Sequence, residues 1–482
     1  MDSETRHATG LPTDRPATAT LAQFAADLSY DRLPGEVQQR MQELLVDYFR
    51  VGCAGTDTPW LEKLNAAMRP LGGSPDASIL FSDQRADPVR AAYLNGVIAG
   101  SLEWDDTHVG AMLHPGVTVW PAALAVGELT GASGKEVIAA AAAGYEVMIR
   151  IGLSVQPSHF RRGFQSTATC GVFGATTAAA KLLGLDAKGI RDALGIAASY
   201  AGGITQFFVS GSEVKRLHAG KASAAGVEAA LFAHSGLTGP HDAIEGVQGF
   251  ARALADEFNP AQIHQGLGEH FHIMRLQMKP HAVSARILAA IESTAELVYQ
   301  GVRPEEVERA TVGVPKVIIG RLTGNALQDL QQSQMNVPFA VAMTLHLAAG
   351  RPKPLVLSVE DFEASLKDTD IRALTDRIAC EPDAEIESAS TTEYVAARVT
   401  LHMRDGTTRS HITPVPAGSA ERPMMFDDIA SRFRVVTEGL IPGEALSDWL
   451  SLVRHPDRIA SAADLMTLRI AGPAPARAEE RA

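Results

Sequence analysis

From Leu21 to about Phe271 the chain repeats Ala, Gly, Leu and Val at helical spacing, broken only by turn signals, and this pattern constrains the fold more than any other feature. Gly costs a helix about 1 kcal/mol relative to Ala, so helices rich in both make physical sense where backbones pack closely. Asp87-Pro88 marks an N-cap with proline at the first helical position, ahead of a helix over Val89 to Leu102, and Gly134-Lys135 opens a run through Ala139 to Gly152. Further helices are expected over Thr169 to Leu183, Ala187 to Ala201, Lys215 to Ser235 and Ala243 to Asp256, with another starting near Pro121. After about Leu276 the texture becomes mixed: a helix over His281 to Tyr299, a strand over Ala310 to Ile319, a helix over Asn336 to Ala349, and a hairpin of Tyr394 to Met403 with Ser410 to Pro414 around Asp405-Gly406. Helical periodicity returns in Phe426 to Thr437 and Pro442 to Arg454. The expected class is mainly α with an α+β part: a large all-helical domain over 19–272, a smaller α+β lid domain over 273–420, C-terminal helices over 421–471 returning to the first domain, and disordered tails at 1–18 and 472–482.

Charge narrows the partners. With 43 Lys+Arg against 56 Asp+Glu the formal net charge is −13, so neither a nucleic acid nor an anionic membrane surface is expected to bind, since either calls for a basic face. Cys53, Cys170 and Cys380 lie more than a hundred residues apart, which argues against a disulfide framework, a zinc ribbon or an iron–sulfur cluster; Cys53 and Cys170 read as packing residues. The first twenty residues hold no apolar segment, and no consecutive apolar run reaches the roughly 18 residues of a membrane span. These features together predict a soluble protein of a reducing compartment, most simply the cytoplasm.

Three polar clusters interrupt the apolar texture. Glu103-Trp104-Asp105-Asp106-Thr107-His108 ends an apolar helix, where acidic side chains oppose the helix dipole, so something other than helix stability should hold them there; His114-Pro115 follows. Lys215, His218 and Lys221 recur at i, i+3 and i+6, a cationic strip beside Ala and Gly that a solvated helix face would also produce. Arg275 to His281, containing Lys279, sits at the junction of the two textures, where side chains of two modules converge. None of these clusters is specific alone.

Their order along the chain is more informative. The segments LEWDDTH…HPGVTVWPAALAVGE, GFQSTATCGVFGATTAAAKLLGLD, VKRLHAGKASAAGVEAALFAHSGLTGP, MKPHAVSARILAAIEST, and NVPFAVA followed by the VTLHMRDG hairpin resemble the MmgE/PrpD family, which includes 2-methylcitrate dehydratases, cis-aconitate decarboxylases and iminodisuccinate epimerases. The resemblance runs from about Leu21 to about Arg454. It implies a helical domain with an α+β lid, a homodimer, and a cofactor-free site between the domains. It also implies site roles for Glu103, His114, Lys215 and Lys279. Where family members carry a further His, this chain has Gln165, an amide that cannot titrate, and a family Tyr aligns with Phe339; around Ser284 the pattern also drifts. His159 or His281 is placed to reoccupy the space of the missing His.

The implied chemistry is loss or migration of a proton α to a carboxylate, which needs a base and cations that stabilise the developing aci-carboxylate. Lys215 and Lys279 suit the second role; His114, His281 or His108 could be the base, with Asp105 or Asp106 orienting an imidazole. Taken together, His114, Lys215, Lys279, Asp105 and His281 are the expected catalytic residues, and Glu103, Asp106, His108, Gln165, His218 and Ser284 the expected substrate contacts. The leading expectation is a cofactor-independent dehydratase acting on a 2-methylcitrate- or aconitate-like di- or tricarboxylate. A dicarboxylate epimerase or isomerase follows, and then a catalytically silent homodimeric anion-binding protein.

Overall fold

The computed structural model describes residues 16–470 apart from 211, 325, 326 and 328. Small-residue helices pack as the sequence requires. Gly134–Val155 lies against Ser166–Leu182 with Gly144 and Gly174 in contact, and a Cβ on Gly144 would sit 2.6 Å from the Gly174 carbonyl oxygen. Likewise Gly96 of Pro88–Gly100 meets Gly220 of Val214–His234, where a Cβ on Gly96 would lie 2.8 Å from the Gly220 Cα. The Asp87 carboxylate caps Pro88–Gly100 by accepting from the Arg90 N–H at 3.0 Å, and Ser133 with Glu136 forms a capping box at the start of Gly134–Val155.

The molecule holds two hydrophobic cores. One joins the helices up to Ile263 with the C-terminal segment from Met424, where Phe433 and Trp449 close on Phe49 of Gly35–Ala54. The other lies wholly between Val283 and Met403 and is built on a four-stranded sheet in the order Ile378–Pro382, Val307–Val314, Ala397–Met403, Thr408–Thr413. The first pair is parallel, with Ala310 opposite Ile378, and the other two are antiparallel. Helices Leu288–Tyr299 and Val337–Ala348 cover this sheet. The fold is thus mainly α with an α+β part.

Several expected boundaries move, each for a local reason. Thr18 already belongs to the helix Ala17–Asp27 and bonds Glu245 through its hydroxyl at 2.5 Å, so the expected N-terminal tail is too long by its last residues; the rest of it and the tail at 472–482 lie outside the described residues. The helix expected from His281 begins at Leu288, because the Ala282 N–H is taken by the Leu357 carbonyl and the Ser284 N–H by that of Gln334. The helix after His114 begins at Gly116, with Pro121 inside it. Within the stretch expected to be helical from Ala243, only Phe250–Leu254 is α-helical, since Gly246 and Gly249 turn the chain. Among the described residues, one helix, Gly134–Val155, is long and apolar enough to span a membrane although Glu146 and Arg150 interrupt its apolar run, and nearly all of its apolar window is buried inside the protein.

Candidate active site

Helix Pro88–Gly100 stops just short of the acidic cluster, and the chain then turns through Glu103 in the left-handed region (φ 56°). A non-glycine residue there stores backbone strain of order 1 kcal/mol and needs surrounding contacts to hold it. Lys279 supplies them: its ammonium, 1% exposed, donates to the Glu103 carbonyl at 2.8 Å and lies 3.5 Å from Asp105 Oδ1. Opposite, the Glu103 carboxylate makes a close ion pair with Lys215, near the start of Val214–His234. Burial, with Lys279 and Arg216 nearby, holds the Lys215 ammonium well below its ordinary value. Such a lysine gives up its proton more readily.

His114 joins the cluster through Asp105. Its Nδ1 lies 2.9 Å from the Asp106 carbonyl, 3.1 Å from Thr107 Oγ1 and 3.3 Å from Asp105 Oδ2, and its backbone N–H donates to Thr167 Oγ1 at 3.1 Å. A carbonyl only accepts, so Nδ1 carries the proton and Nε2 keeps its lone pair. Burial lowers the imidazole pKa against the opposing pull of Asp105, which keeps the ring neutral near pH 7. Glu103, Asp105, His114, Lys215 and Lys279 therefore form one cluster, with His218 one turn beyond Lys215.

Other expected site residues stand elsewhere. The Asp106 carboxyl is taken up at the start of Gly116–Thr130, its Oδ1 accepting the Gly116 N–H at 2.9 Å, so it backs the cluster. His108 serves the turn, accepting the Ala111 N–H at 3.1 Å and meeting His272 edge-on, and burial pushes it down to about 3. His281 accepts the Leu357 N–H at 3.2 Å beside Arg432 and Arg50, a structural contact that takes it away from the base position. Gln165 spends its side-chain oxygen capping Ser166–Leu182 through the Ala168 N–H at 2.7 Å. His159 lies in the core between Phe164 and Phe250, bonded to Thr169, so neither it nor His281 replaces the missing histidine. Ser284 sits at the domain junction and bonds Gln334, while Phe339 packs in the second core against Phe362. All three thiols are pushed up to about 12 by burial. Among the described residues, no group of three or more His, Cys, Asp or Glu could hold a metal.

Five contributors were missed. Thr107 and Thr167 bracket His114. On Gly35–Ala54, Arg50 bonds Asp47 at 2.7 Å and the Lys279 carbonyl at 3.0 Å while its guanidinium stacks 4.5 Å over Trp104, fixing both neighbours of the site. Gln334 donates to the Leu102 and Ala282 carbonyls at 2.9 and 2.8 Å, tying the two domains beside the cluster. A charge pair at i, i+3 in the apolar run LLVDYFRVG was the available signal for Asp47 and Arg50.

Models of the MmgE/PrpD N-terminal and C-terminal domains match residues 19–263 and 281–452, nearly the whole chain. The chain belongs to the MmgE/PrpD family. Its relatives include a cis-aconitate decarboxylase of Aspergillus terreus, 26% identical over 94% of this chain and 95% of the relative. The cis-aconitate decarboxylases of Mus musculus and Homo sapiens are 24% and 23% identical, each over 95% of this chain and 93% and 95% of their own lengths. As an MmgE/PrpD member with these relatives, the protein is a lyase acting on a carboxylate substrate.

Proposed function

We propose that the protein is a cofactor-independent dehydratase of a di- or tricarboxylate of the 2-methylcitrate or aconitate type. The observation that carries this reading is one connected cluster: a neutral His114, with its Nε2 lone pair free of the Nδ1 contacts, meets Asp105, Lys279 bridges Asp105 to the Glu103 carbonyl, and the Glu103 carboxylate holds a Lys215 whose proton is loosened by burial. His114 Nε2 takes the proton α to a carboxylate, and the electrons left behind spread into that carboxylate, stabilised by the nearby ammonium of Lys279. The C–O bond to the β-hydroxyl then breaks as Lys215 protonates it, giving an olefin and water.

Decarboxylation is the second reading, favoured by the names of full-length relatives. There the lysine protonates the olefinic carbon while a carboxylate leaves as carbon dioxide. Against it stands Gln165, whose oxygen is committed to a helix cap.

Incubation with 2-methylcitrate, citrate and cis-aconitate, followed by proton NMR and carbon dioxide release, separates the two. New olefin without carbon dioxide supports dehydration; stoichiometric carbon dioxide replaces it with the second reading. Exhaustive chelation should leave turnover unchanged, and its loss, restored by a metal, would overturn cofactor independence.

A further inference from the structure

Behind the cluster lies a small cavity of about 10 Å3, space for one water, lined by Asp47, Tyr48, Asp105, Asp106, Gly116 and Tyr145 among others. Three buried oxygens at it, Tyr48 OH, Tyr145 OH and Asp106 Oδ2, make no hydrogen bond of good geometry among the described residues; the Tyr145 hydroxyl and the Asp106 carboxyl face each other without aligning. All three carboxyls are buried, but they are not alike. Asp47 is bonded to Arg50, and Asp105 to Lys279 with His114 beside it. Asp106 has no cation in contact: the Gly116 N–H donates to it and the Tyr145 hydroxyl faces it, both favouring the ionised form, but burial outweighs them, and Asp105 and Asp47 add like charge. A lone carboxylate in such a place is costly, and a neutral acid is not.

We propose that Asp106 is a positioning residue that must keep its proton for the site to work. As a neutral acid it completes the hydrogen bonds of the cavity; once ionised, it places an uncompensated negative charge behind Asp105, against the negative charge developing on the substrate. The inference rests on His114 and Lys279 acting as read above. The groups facing Asp106 are Asp105 on its own loop, Asp47, Tyr48 and Arg50 from Gly35–Ala54, Tyr145 from Gly134–Val155, Lys279 from the junction, and His114. Burial holds the Asp106 acid up to about 7, which places its ionisation within the working range.

The test is the pH profile of kcat/KM together with the His114 ring resonances of the ¹⁵N-histidine-labelled protein. In the wild type, activity should fall above pH 7 and the His114 shifts should show a step with the same midpoint. Asp106→Asn should remove both, raising the ratio of kcat/KM at pH 8.5 to that at pH 6 at least about fivefold. Tyr145→Phe, which takes away the hydroxyl facing the carboxyl, should move both to higher pH, and it decides the matter if Asp106→Asn does not fold. An unchanged alkaline limb and an unchanged His114 step in a folded variant would overturn the proposal. The NMR step needs no substrate, so its disappearance in Asp106→Asn supports the role of Asp106 even where no candidate acid turns over, a result that overturns only the dehydratase reading.

Discussion

At the scale of single residues, the site depends on which groups keep protons and which do not. His114→Ala and Lys215→Ala should each lower turnover by at least about a hundredfold if both act on charge in the transition state, as steady-state kinetics would show; near-native rates would remove them from the mechanism. Asp106 carries a stability signature as well. Its folded pKa of about 7 lies above the ordinary 3.8, so the stabilisation gained from its bound proton is complete below about pH 4 and lost as pH rises through 7. The melting temperature of Asp106→Asn should therefore gain on wild type between pH 5 and pH 8, and a constant difference would contradict a neutral Asp106. The clusters that hold Glu103, His114, Lys215 and Lys279 stand out in the sequence because each breaks an apolar pattern, but the family resemblance, not the pattern, singled out these four, which the fold brings together. The places of His281, Gln165 and His159 were not legible, because sequence spacing does not tell which way a ring or an amide turns, and here backbone N–H groups and the core claim them.

At the scale of elements, the Gly/Ala helices put backbone close approach ahead of helix propensity. Gly144→Ala should be stabilising by about 1 kcal/mol on propensity alone. With the Gly174 oxygen 2.6 Å from the added carbon, it should instead cost about 1–3 kcal/mol, measurable by denaturant unfolding. A stabilised variant would mean that the two helices part easily. Helix Val214–His234 shows how well such elements read from sequence: its bounds differ by one residue at each end from the expected 215–235, because a long small-residue run has no competing signal. The short helices Val359–Lys367 and Thr369–Thr375 and the strand Ile378–Pro382 went unread, because their exposed, charged faces hide the few core residues, such as Phe362 and Leu374, that define them.

At the scale of the whole molecule, two cores meet at a seam, and the candidate site lies on the helical side of it. Lys279 lies on it, Arg50 fixes its carbonyl from the helical side, and Gln334 reaches across from the α+β side. Gln334→Leu should cut turnover more than it lowers the melting temperature, since it loosens the register of the domains without emptying either core; parallel kinetics and calorimetry would check this. The two-part architecture was legible as a change in texture near Leu276, whereas the seam contacts were not, because residues more than two hundred positions apart meet there. The division of labour between His114 and Lys215, both on the helical side of this seam, is tested most directly by proton exchange. With a turned-over acid in D2O, followed by proton NMR, Lys215→Ala should still exchange the α-hydrogen for deuterium while failing to eliminate, and His114→Ala should do neither. Exchange that survives His114→Ala but is lost in Lys215→Ala would contradict the assignment of base and acid.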